Sequence, residues 1–315
     1  MSAGRKIVPL PFYRNQERCQ NRRILRNFKF LGKSETSAIP DFLRCFGVIL
    51  RSRQNRVSPD SFEDLQMNEN EKWMENGTFD ILYEEGPVLA VNKESGILTQ
   101  APEGIDSLEY RVKSFLIRRE EKPGKCYLGI PHRLDRPASG VIVFAKHVRA
   151  AHRLSEQFQS RLVEKKYWVL VAGAIPEENG EWTDYMRKIP GRAEAELIEP
   201  IHPDAREAVL KYRVLHRLTL PEIGDVTHLE VELETGRTHQ IRLQTSSRGF
   251  PILGDAQYGS KCAFGEQHED DRLNAIALHS RRISFAHPMT REQVTLTARL
   301  PEVWNRFCNV DVAAE

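Results

Sequence analysis

The chain has 315 residues, 40% hydrophobic and 29% charged, with a formal net charge of +2. That length allows one large domain plus an extension, or two domains, and the composition is that of a soluble globular protein with a real core. No apolar run approaches the ~20 residues of a membrane span, the start lacks a charged-then-apolar secretory pattern, and the five cysteines form no C-x-x-C pair. That pattern argues against a structural zinc site and a disulfide framework, and it fits a reducing cytoplasm.

Charge is unevenly spread. Residues 1–56 carry 13 of the 46 Lys and Arg but only Glu17, Glu35 and Asp41 of the 44 acidic residues, so the remainder has an acidic excess. We read residues 1–70 as a basic, mostly disordered extension with short helices at 22–30 and 42–50. Its Arg-rich, acid-poor composition also matches an organelle transit peptide, and a start at Met67 or Met74 would remove it altogether.

From about residue 78 the pattern becomes regular. Strands are predicted at 81–83 and 88–92, joined as a hairpin through Glu85-Gly86-Pro87. Asp106-Ser107-Leu108-Glu109 reads as a capping box, after which Leu108, Val112, Phe115 and Leu116 share one helical face. The continuous apolar run 140–145 predicts a central strand. Val148, Ala151, Leu154, Phe158 and Leu162 have helical spacing, and 167–173 is the next strand. Segments 208–218, 229–233 and 293–298 alternate apolar with polar residues, as half-buried strands do. Strands and helices do not follow a strict βαβ order. The body, 78–303, is therefore predicted to be α+β, a large, mostly antiparallel mixed sheet flanked by helices, with 304–315 as a short tail.

Two runs carry the chemistry. The first is His132-Arg133-Leu134-Asp135-Arg136-Pro137-Ala138-Ser139-Gly140, which sets a carboxylate between arginines just before the buried strand. The second is Leu233-Glu234-Thr235-Gly236-Arg237-Thr238-His239-Gln240-Ile241-Arg242. An isolated Asp before a strand ordinarily caps the local backbone. Here Arg237, at a strand end next to Gly, is a candidate charge partner for Asp135, and a guanidinium fork on a carboxylate keeps it ionised and oriented. The plainer alternative is a buried ion pair without chemistry. His132 and His239 lack metal-ligand spacing and are expected to fix loops by hydrogen bonds.

Together with Lys165-Lys166-Tyr167, these runs resemble the active site of the RluA family of RNA pseudouridine synthases, in the short form without an S4-type RNA-binding pattern. The resemblance spans roughly residues 80–302. It implies the pseudouridine synthase catalytic fold and isomerisation of specific uridines in ribosomal large-subunit RNA or tRNA, with no metal and no cofactor. It implies Asp135 as the single catalytic carboxylate, nucleophile or base at the ribose. Tyr167 would stack on the target base and take the last proton, with Leu278 on the base's other side and Arg237 completing the catalytic set. Arg133 would fill the gap left by the extruded base, and Arg136 and Arg242 are assigned with it to substrate binding. Gly254-Asp255-Ala256-Gln257-Tyr258-Gly259 and the stretch from Leu278-His279 to His287-Pro288 are family-like scaffold. Pro137-Ala138, Asn92-Lys93-Glu94-Ser95-Gly96 and Leu278-His279-Ser280 depart from the family's usual D-T, N-K-P-A-G and L-H-A.

The partner implied is RNA, with no membrane and no obligate protein partner, and the protein acting as a monomer in the cytoplasm, or in an organelle if the extension is a transit peptide. Two rivals belong to other classes: a catalytically idle RNA-binding module of the same fold, and a nucleoside or sugar hydrolase. A glycosidase normally needs two carboxylates, whereas pseudouridine formation admits no water and needs one.

Overall fold

The computed structural model describes residues 79–121 and 126–307. β1 (Asp80–Glu85) and β2 (Val88–Lys93) form the expected hairpin, turning at Gly86, which takes a φ of 50°. β3 (Ser139–Ala145) is buried at every position because both of its faces are covered. On one face α1 (Leu108–Glu120) lays Leu108, Val112 and Leu116 against Leu89, Val91, Ile142 and Phe144. On the other, α2 (Val148–Gln159) lays Ala150, Ala151 and Leu154 against Val88, Ala90, Val141 and Val143. A strand covered on two sides has no position for a polar side chain, which is why 140–145 reads as an unbroken apolar run.

The remaining strands are β4 (Glu164–Ala172), β5 (Asn179–Lys188), β6 (Ala195–Leu197), β7 (Arg206–Leu220), β8 (Gly224–Leu233), β9 (Leu278–Ala286) and β10 (Gln293–Thr297). One sheet takes them in the order β1-β2-β3-β9-β4-β8-β7-β5-β6, with β10 added to β9. Neighbours are antiparallel except β3 and β9, which run parallel through Ser139↔His279 and Gly140↔Ser280. This is the mixed, mostly antiparallel α+β sheet that the patterning predicted. The parallel contact joins the two halves of the sheet, and it depends on Gly140. Its φ of 115° suits glycine, and a Cβ there would collide with the Ser280 backbone.

Several local readings are corrected. The α1 cap is Ser107, whose side chain accepts from the Tyr110 N–H; Asp106 instead holds Arg111, and Glu109 pairs with Lys113 one turn on at 2.6 Å. α2 ends at Gln159, so Leu162 lies beyond it and is 68% exposed, and Val148 at its start is 65% exposed. The body runs past 303: Trp304 and Phe307 are buried in the core that β4, β7 and β8 share. β5, β6, β9 and α3 (Gln240–Ser247) had no predicted counterpart. The extension 1–70, its two expected helices and residues 308–315 lie outside the described residues. No helix among those described is long and apolar enough to cross a membrane.

Candidate active site

Asp135 sits in the loop that leads into β3, and that loop is tied down from several sides. Thr99, itself buried, donates its hydroxyl to Leu134 O at 2.9 Å and accepts from Leu134 N at 3.2 Å. Gly96 N donates to Arg136 O, and Arg136 Nε returns to Gly96 O, both at 2.8 Å. Lys93, at the end of β2, is 1% exposed, and its ammonium donates to Glu94 O, Arg136 O and Ala138 O at 2.9, 3.1 and 2.6 Å. Burial pushes Lys93 down to about 7, while the Asp135 carboxylate acts in the opposite direction. Three carbonyl acceptors also favour the charged ammonium, since only that form offers three N–H donors. His132 accepts the Val143 N–H on Nε2 at 2.9 Å and stacks on Phe158; burial holds it near 3, so it is neutral and braces the loop, as its spacing suggested.

The charge partner of Asp135 is not Arg237. Arg242 NH1 lies 3.4 Å from Asp135 Oδ2, and His239 Nε2 lies 3.8 Å from Oδ1. Arg237 turns away and donates Nε to Glu207 O at 2.8 Å. The reason is local geometry. His239 takes a left-handed φ of 54° before α3, and Arg242 falls one turn into that helix on its buried side. Arg237 lies before the reversal and follows the edge of β7 instead.

Arg242, expected to touch substrate, is 3% exposed and fully engaged. Its guanidinium forks onto Asp255 at 2.7 and 2.8 Å, reaches Gln257 Oε1 at 2.7 Å, and lies 4.9 Å from the Tyr258 ring centroid. Asp255 is 1% exposed with both oxygens bonded to Arg242, so it is sealed from a substrate. Asp135, with its side chain 27% exposed, is the carboxylate of the pair that a substrate can reach. Ala195 N donates to the Tyr258 hydroxyl, whose oxygen lies 2.9 Å from His239 Nδ1 and 3.4 Å from Ala195 O. His239 Nε2 faces Asp135, and burial lowers the pKa of the ring while the Asp135 carboxylate acts in the opposite direction.

Tyr167, on β4, is 8% exposed and packs with Leu134, Ala138 and Leu278. It stands opposite Ser280 of β9, past a bulge in the pairing. Burial and the Asp135 carboxylate both push its hydroxyl pKa upward, and a hydrogen bond with Ser280 acts in the opposite direction. Leu278 is 6% exposed in the same cluster, and Arg133 projects from the loop as an exposed side chain. Arg136 is half-buried, its Nε on Gly96 O. Lys93, Thr99, Asp255 and Tyr258 had no assigned role from sequence. Asp255 and Tyr258 did lie in the segment picked out as family-like scaffold, and Lys93 in the run set against the family's N-K-P-A-G; a charged residue in such a run was the available signal.

A loop-borne carboxylate, a buried arginine behind it and a tyrosine at its side form one cluster assembled from the two motif runs and β4. The RNA pseudouridylate synthase family pattern matches residues 87–247, which contain Asp135, Tyr167 and Arg242. The chain belongs to the RNA pseudouridylate synthase family. It is 32% identical to tRNA pseudouridine synthase C of Haemophilus influenzae over 73% of this chain and 96% of that one. It is 31% identical to ribosomal large subunit pseudouridine synthase C of Buchnera aphidicola subsp. Baizongia pistaciae over 71% of this chain and 68% of that one. The fold is that of the solved human RNA pseudouridylate synthase domain containing 4, with a TM-score of 0.58 over 72% of this chain and 92% of that one at 22% identity. The RluA-type resemblance of the motif runs thus extends to sequence and fold along most of the body, and this RNA pseudouridine synthase is an isomerase.

Proposed function

We propose that Asp135 is the catalytic carboxylate of this synthase and that its substrate is a uridine in folded tRNA or ribosomal large-subunit RNA. The observation that carries this is the asymmetry of the two carboxylates around Arg242: Asp255 is sealed and doubly bonded, and Asp135 is open to solvent. One accessible carboxylate suits an isomerisation. The N1–C1′ bond breaks, the base turns, and a C5–C1′ bond forms; C5 loses a proton and N1 gains one. Atoms and electrons balance without water, metal or redox partner.

Asp135 acts at the ribose, as nucleophile or base. Arg242 and His239 Nε2 hold its orientation, and Arg242 balances its charge. Tyr167 and Leu278 are the side chains that flank the flipped base, and exposed Arg133 is free to occupy the gap in the RNA stack, offsetting part of an unstacking cost of a few kcal/mol. Burial first, and the Asp135 charge second, make Tyr167 resist ionisation. Tyr167 takes the C5 proton only as its own phenolic proton passes on, and N1, which gains a proton in the reaction, is the acceptor that balances the step.

The names of the two relatives support both RNA classes. Release of the uridine C5 proton from labelled bulk RNA, followed by mapping of the pseudouridines formed, tests the proposal. The synthase releases that proton; an idle RNA-binding module or a hydrolase does not.

A further inference from the structure

Arg237, displaced from the Asp135 pair, belongs to a different group. The pairing of β7 with β8 through Leu210↔Leu233 sets the start of β7 beside the turn after β8. Glu234 and Thr235 both donate to Val209 O, and Arg237 reaches Glu207 O, so Arg206 and Arg237 stand on adjoining backbone. On the other flank of β8, Lys166↔Glu232 brings Lys165 level with the same turn. Lys165 shares its strand parity with Tyr167 and therefore faces the active-site side of β4. Arg161, at a left-handed φ of 57° just beyond α2, completes the group. Its charge acts on both Lys165 and Arg237, and that of Arg206 acts on Arg237.

Arg161 and Arg206 are exposed, whereas Lys165 and Arg237 are half-buried. None of the four makes an ion pair among the described residues, although the body as a whole has an acidic excess. Glu207 is the carboxylate that acts on Arg237, and Glu234 is already taken by Lys211. A scattered surface cation is normally just solvated. Four cations side by side repel one another, and that arrangement is relieved by a polyanion. The group also adjoins the reacting centre. Arg237 is two residues before His239, and Lys165 two before Tyr167.

We propose that Arg161, Lys165, Arg206 and Arg237 form a phosphate track that holds the RNA strand on its way to Asp135. This rests on the reading that the protein acts on RNA. It assigns Arg237 to backbone contact, which is sequence-independent.

The test is the affinity of the full chain for unmodified bulk tRNA across a series of salt concentrations. The double variant Arg161→Gln, Arg206→Gln is compared with Arg149→Gln, an exposed cation in the first turn of α2, at the opposite end of that helix from Arg161. The track predicts that the double variant binds about tenfold or more weakly at low salt. Its plot of log affinity against log salt should be shallower by about 1.4–1.8, as expected for two lost phosphate contacts. Arg149→Gln should bind as wild type. If the double variant melts early, the two single variants, each predicted to lose about half that slope, decide instead. Unchanged affinity and slope in the variants overturn the track. C5-proton release by the wild type is scored separately. A protein that loses slope as predicted but releases no proton keeps the track and loses the synthase reading; one that releases the proton but keeps its slope does the reverse.

Discussion

Arg237 and Arg242 lie five residues apart, yet they have opposite surroundings, and the difference can be measured. Arg242→Met strands Asp255 as a buried, unpaired carboxylate and leaves Asp135 without a cation, so unfolding should cost about 3–5 kcal/mol less in a denaturant titration, with turnover lost as well. Arg237→Ala releases one donor from a backbone carbonyl at a partly exposed position and should shift stability by no more than about 1 kcal/mol. Equal losses in the two variants would return Arg237 to the ion pair. Lys93→Met should leave the Glu94 and Ala138 carbonyls unpaired; Arg136 O keeps its bond from Gly96 N. We expect a loss of about 1–3 kcal/mol and a fall in kcat larger than the change in KM, because the loop carrying Asp135 shifts; a folded variant with wild-type kcat would contradict this. Asp135 was legible in the sequence because its run is distinctive. Its partner was not, since the choice between two arginines turned on one left-handed residue, His239, that no pattern announces.

At the scale of elements, legibility followed the chemistry of the buried face. β3 could be read because both of its faces meet apolar helices. α3 could not, because the side it buries carries Gln240, Arg242, Gln244 and Thr245 alongside Ile241. Gln244, fully buried, reaches Trp182 O, Asp184 and Ala208 O. Such a helix is docked by hydrogen bonds and shows no apolar stripe. β9 was hidden for a similar reason: Leu278–Ala286 carries His279, Ser280, Arg281 and Arg282 in succession. The join of β3 to β9 is open to a direct test. Gly140→Ala forces a Cβ into the Ser280 backbone at a φ that L residues resist, and should destabilise by about 2 kcal/mol or more. Because Ser280 stands opposite Tyr167, activity should fall with it. An alanine variant of wild-type stability would show that the two strands do not approach so closely.

Over the whole molecule, the fold class followed from patterning, and the strand order did not. Pairings such as β3 with β9 connect segments far apart in the chain, and alternation says which face is buried without saying which neighbour covers the edge. The interior also buries histidines that no motif singled out for the purpose. His228 and His279 are fully buried, and burial holds both near 3. A base whose folded pKa is depressed binds its proton more readily when unfolded. Stability is therefore complete above the unfolded value of about 6.5 and declines as pH falls from there toward about 3, by up to roughly 1.4 kcal/mol per pH unit for each histidine. Denaturant unfolding at pH 7.5 and 5.0 should show a clear loss at the lower pH. Stability that is flat or rises over that interval would mean these rings are not held neutral.

The account centres on Asp135, and the most direct measurement is C5-proton release from labelled RNA by Asp135→Asn at saturating RNA, with RNA affinity and melting temperature measured on the same preparation. The substitution keeps size and removes charge and nucleophilicity. The account predicts no detectable turnover, with folding intact and RNA affinity close to wild type. A folded variant that keeps about a tenth or more of wild-type proton release would contradict it, because an enzyme that has lost its one reactive carboxylate cannot retain that rate.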